Sequence, residues 1–466
     1  MWRCIGLAVL LCCSCGSDLR EDSSDDSPRT RATPDDPEEE GPTPEVVEQS
    51  PPIAWEYRWG SSGQDYVSDI AVDRDGNVYF TGMGVPAGAV AGSGGYVASL
   101  APDGSYRWGK ALAGTSWGSA VAVAPTGEIL VAGTFESTLD FGGGPRVPVG
   151  QYSVYLVALT EDGKYLWDRT FGDGRINTAN GLDVTPDGGV VLVGSYMGGA
   201  DFGGGRRAGS DSQQVFVASY DLTGEYRWDY VGPDSGTQIP IGVDVDDVGN
   251  VTFVGHFSQE ADFGGGTRVC ANHQAAFVAQ LDSEGDYRWD WANEDEGTSV
   301  GHAVAVDSNG GVYITGEFSG LIDFAGDRLG DSNSSLDSYV LAFGTDGRQR
   351  WGQSHGGTGA VRAFGIAAHG DIVYVTGYFG GEVSIADTTL VCSDGYDGFA
   401  FAVTTSGAHL WQRSFGGPGD EEARTIAVTD QLVYVGGRDP GHDTGPFVSM
   451  DVLVLALEQP ANGSGN

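Results

Sequence analysis

The sequence predicts an all-β fold, a seven-bladed β-propeller with four antiparallel strands per blade, on three observations. Seven tryptophans, Trp59, Trp108, Trp167, Trp228, Trp289, Trp351 and Trp411, recur at intervals of 49, 59, 61, 61, 62 and 60 residues, which is the period of a repeat architecture. Each interval offers four candidate strands divided by glycine-rich turns, with almost no helical period. The chain enters on AWEYRWG, which matches only a fourth strand, and leaves on DVLVLALEQ, which matches only a third. The two ends together make one blade, so residues about 54–60 are expected to pair beside 450–458. Such a closure removes both exposed sheet edges.

The elements follow in order along the chain. Residues 1–15 hold Arg3, a short apolar run and four of the six cysteines, Cys4, Cys12, Cys13 and Cys15. A run this short cannot span a bilayer and reads as an export signal. It resembles a bacterial lipoprotein signal, with Cys15 after Ser14 as the lipidated residue and Cys13 as the alternative. An ordinary cleaved signal is the competing reading. By the lipoprotein resemblance, Gly16 after the cysteine implies the outer membrane. Residues 16–54 carry 12 acidic and 3 basic side chains among Pro and Ser. That composition is expected to stay disordered, a tether reaching on the order of 35 Å.

The propeller is expected over 55–458 and a disordered tail over 459–466. Its first full unit reads as strands Ser68–Asp73, Val78–Met83, Tyr96–Ala101 and Tyr106–Ala111. DRDGN and PDGS join them in pairs, and such Asp/Gly turns suit tight hairpins. GLDVTPDGGVVLVGSY, GVDVDDVGNVTFVGHF and AVAVDSNGGVYITGEF repeat the plan. Four antiparallel strands repeated radially make a propeller.

Net charge is −41, from 65 acidic and 24 basic residues. Setting aside residues 16–54 and Arg3 leaves −33 on the repeats. A field of that sign repels nucleic acid and anionic headgroups. Neither is expected as a surface ligand, and membrane contact is expected through the lipid anchor only.

Segments such as AGTFESTLDFGGGPRVPVGQYSVYLVALTEDGKYLW and VGHFSQEADFGGGTRVCANHQAAFVAQLDSEGDYRW resemble the SBBP family of bacterial β-propeller repeats. The resemblance covers nearly all of 55–458 and implies a propeller of a secreted or surface protein, with no particular ligand. ASYDLTGEYRW, Ala218 to Trp228, is also similar to the tryptophan-docking stretch of quinoprotein propellers, where an indole of each blade packs on the next. That family uses eight blades and adjacent cysteines in the mature domain, both missing here. Fold alone does not carry function.

Four sets of residues are candidates. The seven tryptophans are read as anchors between blades rather than as a glycan platform, since a large buried ring contributes area and needs a partner for its N–H. Between second and third strands, Asp140, Asp201, Asp262 and Asp323 each precede a Phe and a glycine loop. A calcium site would need about six to eight oxygens. One Asp per loop instead suits a turn cap, with Phe filling the blade and glycines at positive φ.

At the mouth of the central channel, aligning the first strands sets Ser68, Ser119, Asn180, Ile241, His302, Phe364 and Arg424 at one level. This is the candidate ligand site. It does not read as a metal site, since one His and one Arg are not converging ligands. Two steps along, Asp183 and Asp244 share a level where other blades carry Ala. They are either a pair with a raised pKa or a bound cation, or interior carboxylates bonded to backbone N–H. Cys270 and Cys392 occupy matching places in blades two apart, beyond the ~7 Å Cα limit of a disulfide.

No Gly-x-Ser-x-Gly elbow, His-Glu-x-x-His, phosphate loop or Cys/His ligand spacing occurs. The expectation is a lipid-anchored cell-envelope propeller, without catalysis or cofactor, that scaffolds an envelope or extracellular protein or glycan. It would be an outer-membrane lipoprotein, periplasmic or surface-exposed. One alternative is a carbohydrate-active propeller enzyme using channel-mouth carboxylates. Another is an outer-membrane assembly scaffold, although the lipoprotein of that machinery has eight blades.

Overall fold

The computed structural model describes residues 50–459 except 61–63, 85–93, 113, 173–174, 271–272, 295–296, 331–335, 393 and 441–449. The export signal with Cys15, almost all of the acidic segment and the tail after Gln459 lie outside the described residues. Among the described residues every helix or strand element is a β-strand, and seven four-stranded antiparallel sheets form the blades. Blade 1 is Tyr66–Val72, Val78–Gly84, Gly94–Leu100 and Tyr106–Ala111; blade 2 starts at Ser116, blade 3 at Ile176 and blade 4 at Thr237. Blades 5 and 6 start at Gly297 and Val361. Blade 7 is Glu422–Val428, Leu432–Pro440 and Met450–Glu458, completed by Ile53–Trp59.

Burial explains which stretches read as which strand. Second and third strands lie between two neighbouring blades, so Ile129–Phe135 and Ser153–Leu159 are buried at every residue and are nearly continuous apolar runs. Fourth strands face solvent at the rim, and Tyr165–Phe171 mixes buried with exposed positions. Turns between strands one and two, and three and four, share one end of the ring, the base. Asp caps set several of them: Asp73 Oδ1 accepts the N–H of Asp75 and Asn77 at 2.9 and 2.8 Å, and Asp246 repeats the arrangement with Val248 and Asn250. The longer connections all lie at the opposite end, the mouth.

One irregularity recurs in all seven blades. The first strand carries an extra residue against the second, so that Ser68 interrupts the register between Val67 and Asp69, and Asn180 between Ala179 and Gly181. A bulge of this kind puts two residues opposite one and leaves the extra residue unpaired. The displaced backbone turns a carbonyl onto the second strand. There the partner is always glycine, Gly82, Gly133, Gly194, Gly255, Gly316, Gly377 and Gly437, because a Cβ would collide with the carbonyl of Tyr66, Trp117, Thr178, Ile239, Val300, Arg362 and Glu422 in turn. In blades 1, 2 and 5 a third-strand tyrosine hydroxyl, Tyr96, Tyr155 or Tyr339, donates to that same carbonyl at 3.0–3.1 Å.

First strands of successive blades touch one another, and that of blade 7 touches that of blade 1, so seven strands surround one axis. The core lies between blades rather than at that axis. Val67, Phe80 and Tyr96 of blade 1 pack with Tyr434, Val452 and Val454 of blade 7. Closure runs from Trp55 opposite Ala456 to Trp59 opposite Val452. Cys270 and Cys392 are buried free thiols.

Candidate functional site

The seven bulges define the mouth. Each extra residue sits on the innermost strand, with no strand on its axial side, and borders the channel partly or largely buried. These residues are Ser68, Ser119, Asn180, Ile241, His302, Phe364 and Arg424, the level that aligning the first strands brings together. Their non-identity follows from the bulge, since a residue outside the ladder is free of the register that constrains its neighbours.

Around that level the ring divides into two unlike arcs. From blade 4 through blade 7 to blade 1 it is charged and aromatic. Glu317 Oε2 lies 3.5 Å from His302 Nε2 and 3.3 Å from Arg362 Nε, across the seam between blades 5 and 6. In blade 7 Glu422 Oε2 takes Arg424 at 2.7 and 3.0 Å, while its other oxygen accepts from Arg438. Burial opposes ionisation of both glutamates, yet His302 with Arg362, and Arg424 with Arg438, hold them below the ordinary carboxylate range. Rings of His302, Phe364, Tyr378 and Tyr396 follow one another at 4.4, 5.5 and 5.2 Å, and the Arg424 guanidinium lies 5.1 Å over Tyr66. Burial, reinforced by His302, lowers the His256 imidazole to about 4.

The arc of blades 2 and 3 is small and neutral. Ser119 and Thr134 stand in blade 2, and Thr178 Oγ1 shares a 2.9 Å hydrogen bond with Ser195, to which Gln213 also donates. Asn180 Nδ2 donates to Pro240 O at 2.6 Å. Sequence reasoning reached the bulge level but not Glu317, Arg362, Tyr378, Glu422 or Arg438. A signal for three of these existed, since Glu317, Tyr378 and Arg438 each directly follow the glycine opposite a bulge.

Deeper in the channel lie three carboxylates that join blades. Asp183 Oδ1 accepts the N–H of Val184 at 2.7 Å and Oδ2 that of Val245 at 2.8 Å; Asp244 repeats this with Val245 and, at 2.6 Å, Val306 of the next blade. Asp69 accepts from Ile70 and Val121, both at 2.9 Å, and from Thr425 at 3.0 Å, linking blades 7, 1 and 2. Asp69 went unnoticed because it follows a bulge directly and so aligns with no other acid. Burial pushes its carboxyl from 3.8 up to about 6, against those hydrogen bonds. Asp183 and Asp244 are both raised, by burial first, and Asp244 the more because it faces Asp183.

The remaining candidates take up positions in the frame. Indole N–H groups of Trp108, Trp167, Trp228 and Trp351 donate to a carbonyl in the base turn of the next blade, Glu161, Leu222, Ser283 and Thr405, at 2.8–3.1 Å. Trp289 turns its N–H to Gln280 of its own blade. At the closure the docking ring is Trp55, bonded to Pro102 O at 2.9 Å, and not Trp59, which packs edge-on against Tyr96. Register decides this: Trp55 stands opposite Ala456 as Trp351 stands opposite Ala342, and Ala54 is the bulged residue of that strand. For Trp411 the next blade has no such turn, since its third strand is Met450–Glu458 and its fourth is Ile53–Trp59, which do not follow each other in the chain.

The glycine loops are small hairpins. Asp140, Asp201 and Asp262 each accept two glycine N–H bonds at 2.8–3.1 Å, Phe141, Phe202, Phe263 and Phe324 are buried, and Asp323 lies on the corresponding strand Ile322–Phe324. Arg146, Arg207 and Arg268 tie three hairpins to Asp168, Asp229 and Asp290, each directly after a repeat tryptophan. Among the described residues no group of three His, Cys, Asp or Glu is arranged to hold a metal ion.

A family model described as a beta-propeller repeat, SBBP, matches residues 59–84. An uncharacterized WD repeat-containing protein of Acanthamoeba polyphaga mimivirus is 24% identical over 289 residues, with 52% of this chain and 20% of that protein covered. The chain thus spans about one fifth of the length of that relative. Similar solved structures include the polysaccharide lyase Uly1, 10% identical over 86% of this chain and 91% of that chain, with a TM-score of 0.45. Others are the Pan2 WD40 domain of Neurospora crassa, 9% identical over 86% and 96% at 0.44, and YCF48 bound to a D1 peptide, 7% identical over 90% and 100% at 0.42. The chain thus carries a match to one SBBP beta-propeller repeat at residues 59–84, and its seven four-stranded blades about one axis make it a β-propeller protein.

Proposed function

We propose that this propeller is a binding module of the cell envelope, held to the outer membrane by a lipid on Cys15 and engaging an envelope or extracellular partner at the channel mouth. One observation carries the reading. Seven bulges of identical construction present seven side chains of six different types, so a rigid repeated frame displays a non-repeated surface. The entry of the chain supports the orientation. Ser50 and Pro51 bond to Gln412 and Arg413 on the outer strand of blade 6, and Ile53 starts the closing strand at the base, so the described chain enters along the outer rim, away from the channel. Catalysis is not part of the proposal, because both oxygens of Asp183 and of Asp244 already accept backbone N–H.

The test is site-specific photocrosslinking in intact envelopes. A photoreactive residue at Ser119, on the mouth, should yield an adduct with one discrete partner, and the same residue at Asp103, in a base turn, should yield none. Adducts from the base alone would refute the reading.

A further inference from the structure

We infer that the mouth takes a sugar bearing a single carboxylate, within a glycan that is otherwise neutral. This rests on the reading of the mouth as a binding site and names what it binds. The side chains that border the mouth include three cations, Arg362, Arg424 and Arg438, and two anions, Glu317 and Glu422. Three guanidinium groups thus gather at one level of a chain whose net charge is −41. Arg424 commits Nε and one terminal nitrogen to Glu422 and has a further terminal nitrogen, with about a third of its side chain exposed at the mouth. His302 Nε2 already faces Glu317 at 3.5 Å, whereas the buried Nε of Arg438 has no hydrogen bond among the described residues. Buried donors of this kind carry a desolvation cost that an acceptor arriving at the mouth removes.

Charge number selects the kind of acid. A polyanion would add its repulsion from the acidic surface at every unit, whereas one carboxylate meets the exposed edge of one guanidinium. The rest of the mouth selects the body that carries it. The ring series His302, Phe364, Tyr378 offers apolar surface on one side, and Ser119 and Asn180 offer a hydroxyl and an amide on the other. Apolar faces opposite hydrogen-bonding groups match a pyranose, which has C–H faces and a rim of hydroxyls.

The experiment is isothermal titration of the full chain with a xylo-oligosaccharide carrying one glucuronate, and with the same oligosaccharide methyl-esterified. The acid should bind at least tenfold more tightly than the ester, and Arg424→Gln should reduce the acid to the level of the ester. Ser119→Ala, which keeps every cation, should weaken both probes alike. Equal binding of acid and ester would overturn the carboxylate while leaving the mouth a binding site. Binding of neither, or acid binding untouched by Arg424→Gln, would overturn the inference altogether, with the photocrosslinking result still standing on its own. Displacement of the sugar by an acetylated peptide with a free C-terminus at equal concentration would assign the site to peptide carboxylates instead.

Discussion

Replacing Asp69 with Asn isolates the electrostatics of the channel. The folded carboxyl is pushed from 3.8 up to about 6, chiefly by burial. An acid whose pKa is higher folded than unfolded binds more protons in the native state over the interval between the two values. Stability therefore falls as pH rises from about 4 to about 6, and stays reduced above it. A shift of about two units corresponds to about 3 kcal/mol. Asn cannot ionise, yet its Oδ1 can still accept the Val121 N–H, so the link between blades 1 and 2 persists. Asp183 and Asp244 shift in the same direction, and the net charge of −41 adds repulsion at high pH, so the wild-type curve alone cannot be assigned to one group. The difference between variant and wild type can. Urea unfolding followed by tryptophan fluorescence at roughly pH 4, 5, 6 and 7 should show Asp69→Asn gaining about 3 kcal/mol relative to wild type across that range. Parallel stability curves would refute the claim that the enclosing wall, rather than solvent, sets the titration of this carboxyl.

Two further outcomes follow from the frame. Trp55→Ala should cost about 2–3 kcal/mol in urea unfolding, matching Trp108→Ala, because both half-buried rings bond the next blade's turn; a cost under about 0.5 kcal/mol would remove Trp55 from the docking series. Gly255→Ala drives a methyl into the Ile239 carbonyl and should cost about 3 kcal/mol or more by the same measurement, and a near-neutral variant would show that the bulge does not require glycine.

Blade number and ring closure were legible because they rest on strong local signals, the Asp/Gly turns and the incomplete ends. The bulge was less so. It appears in sequence only as a glycine in the second strand, one hairpin turn after a first strand that itself shows nothing irregular. Trp59 was misplaced as the docking ring because Tyr57-Arg58-Trp59 copies the Tyr-x-Trp motif by letter, whereas pairing with Ala456 gives the role to Trp55. At the mouth, alignment found Ser68 through Arg424 because all seven belong to the same strand of the repeat. Glu317 with Arg362, and Tyr378 beside the Glu422 site, meet only across seams between blades. Such contacts depend on the ring geometry and have no fixed spacing to read.

The closing strand enters at the base and runs toward the mouth, where Trp59 lies opposite Val452. Pulling the two chain ends apart would open that pairing from Ile53 and Leu457 one bond at a time, like a zipper. On the proposed reading, a load between a tether preceding Ser50 and a ligand at the mouth would act on it differently. Force then runs parallel to Ile53–Trp59, and every hydrogen bond to Met450–Glu458 resists sliding at once. The seam that joins first strand to last is thus weaker against a pull on both ends than against a load along the strand direction.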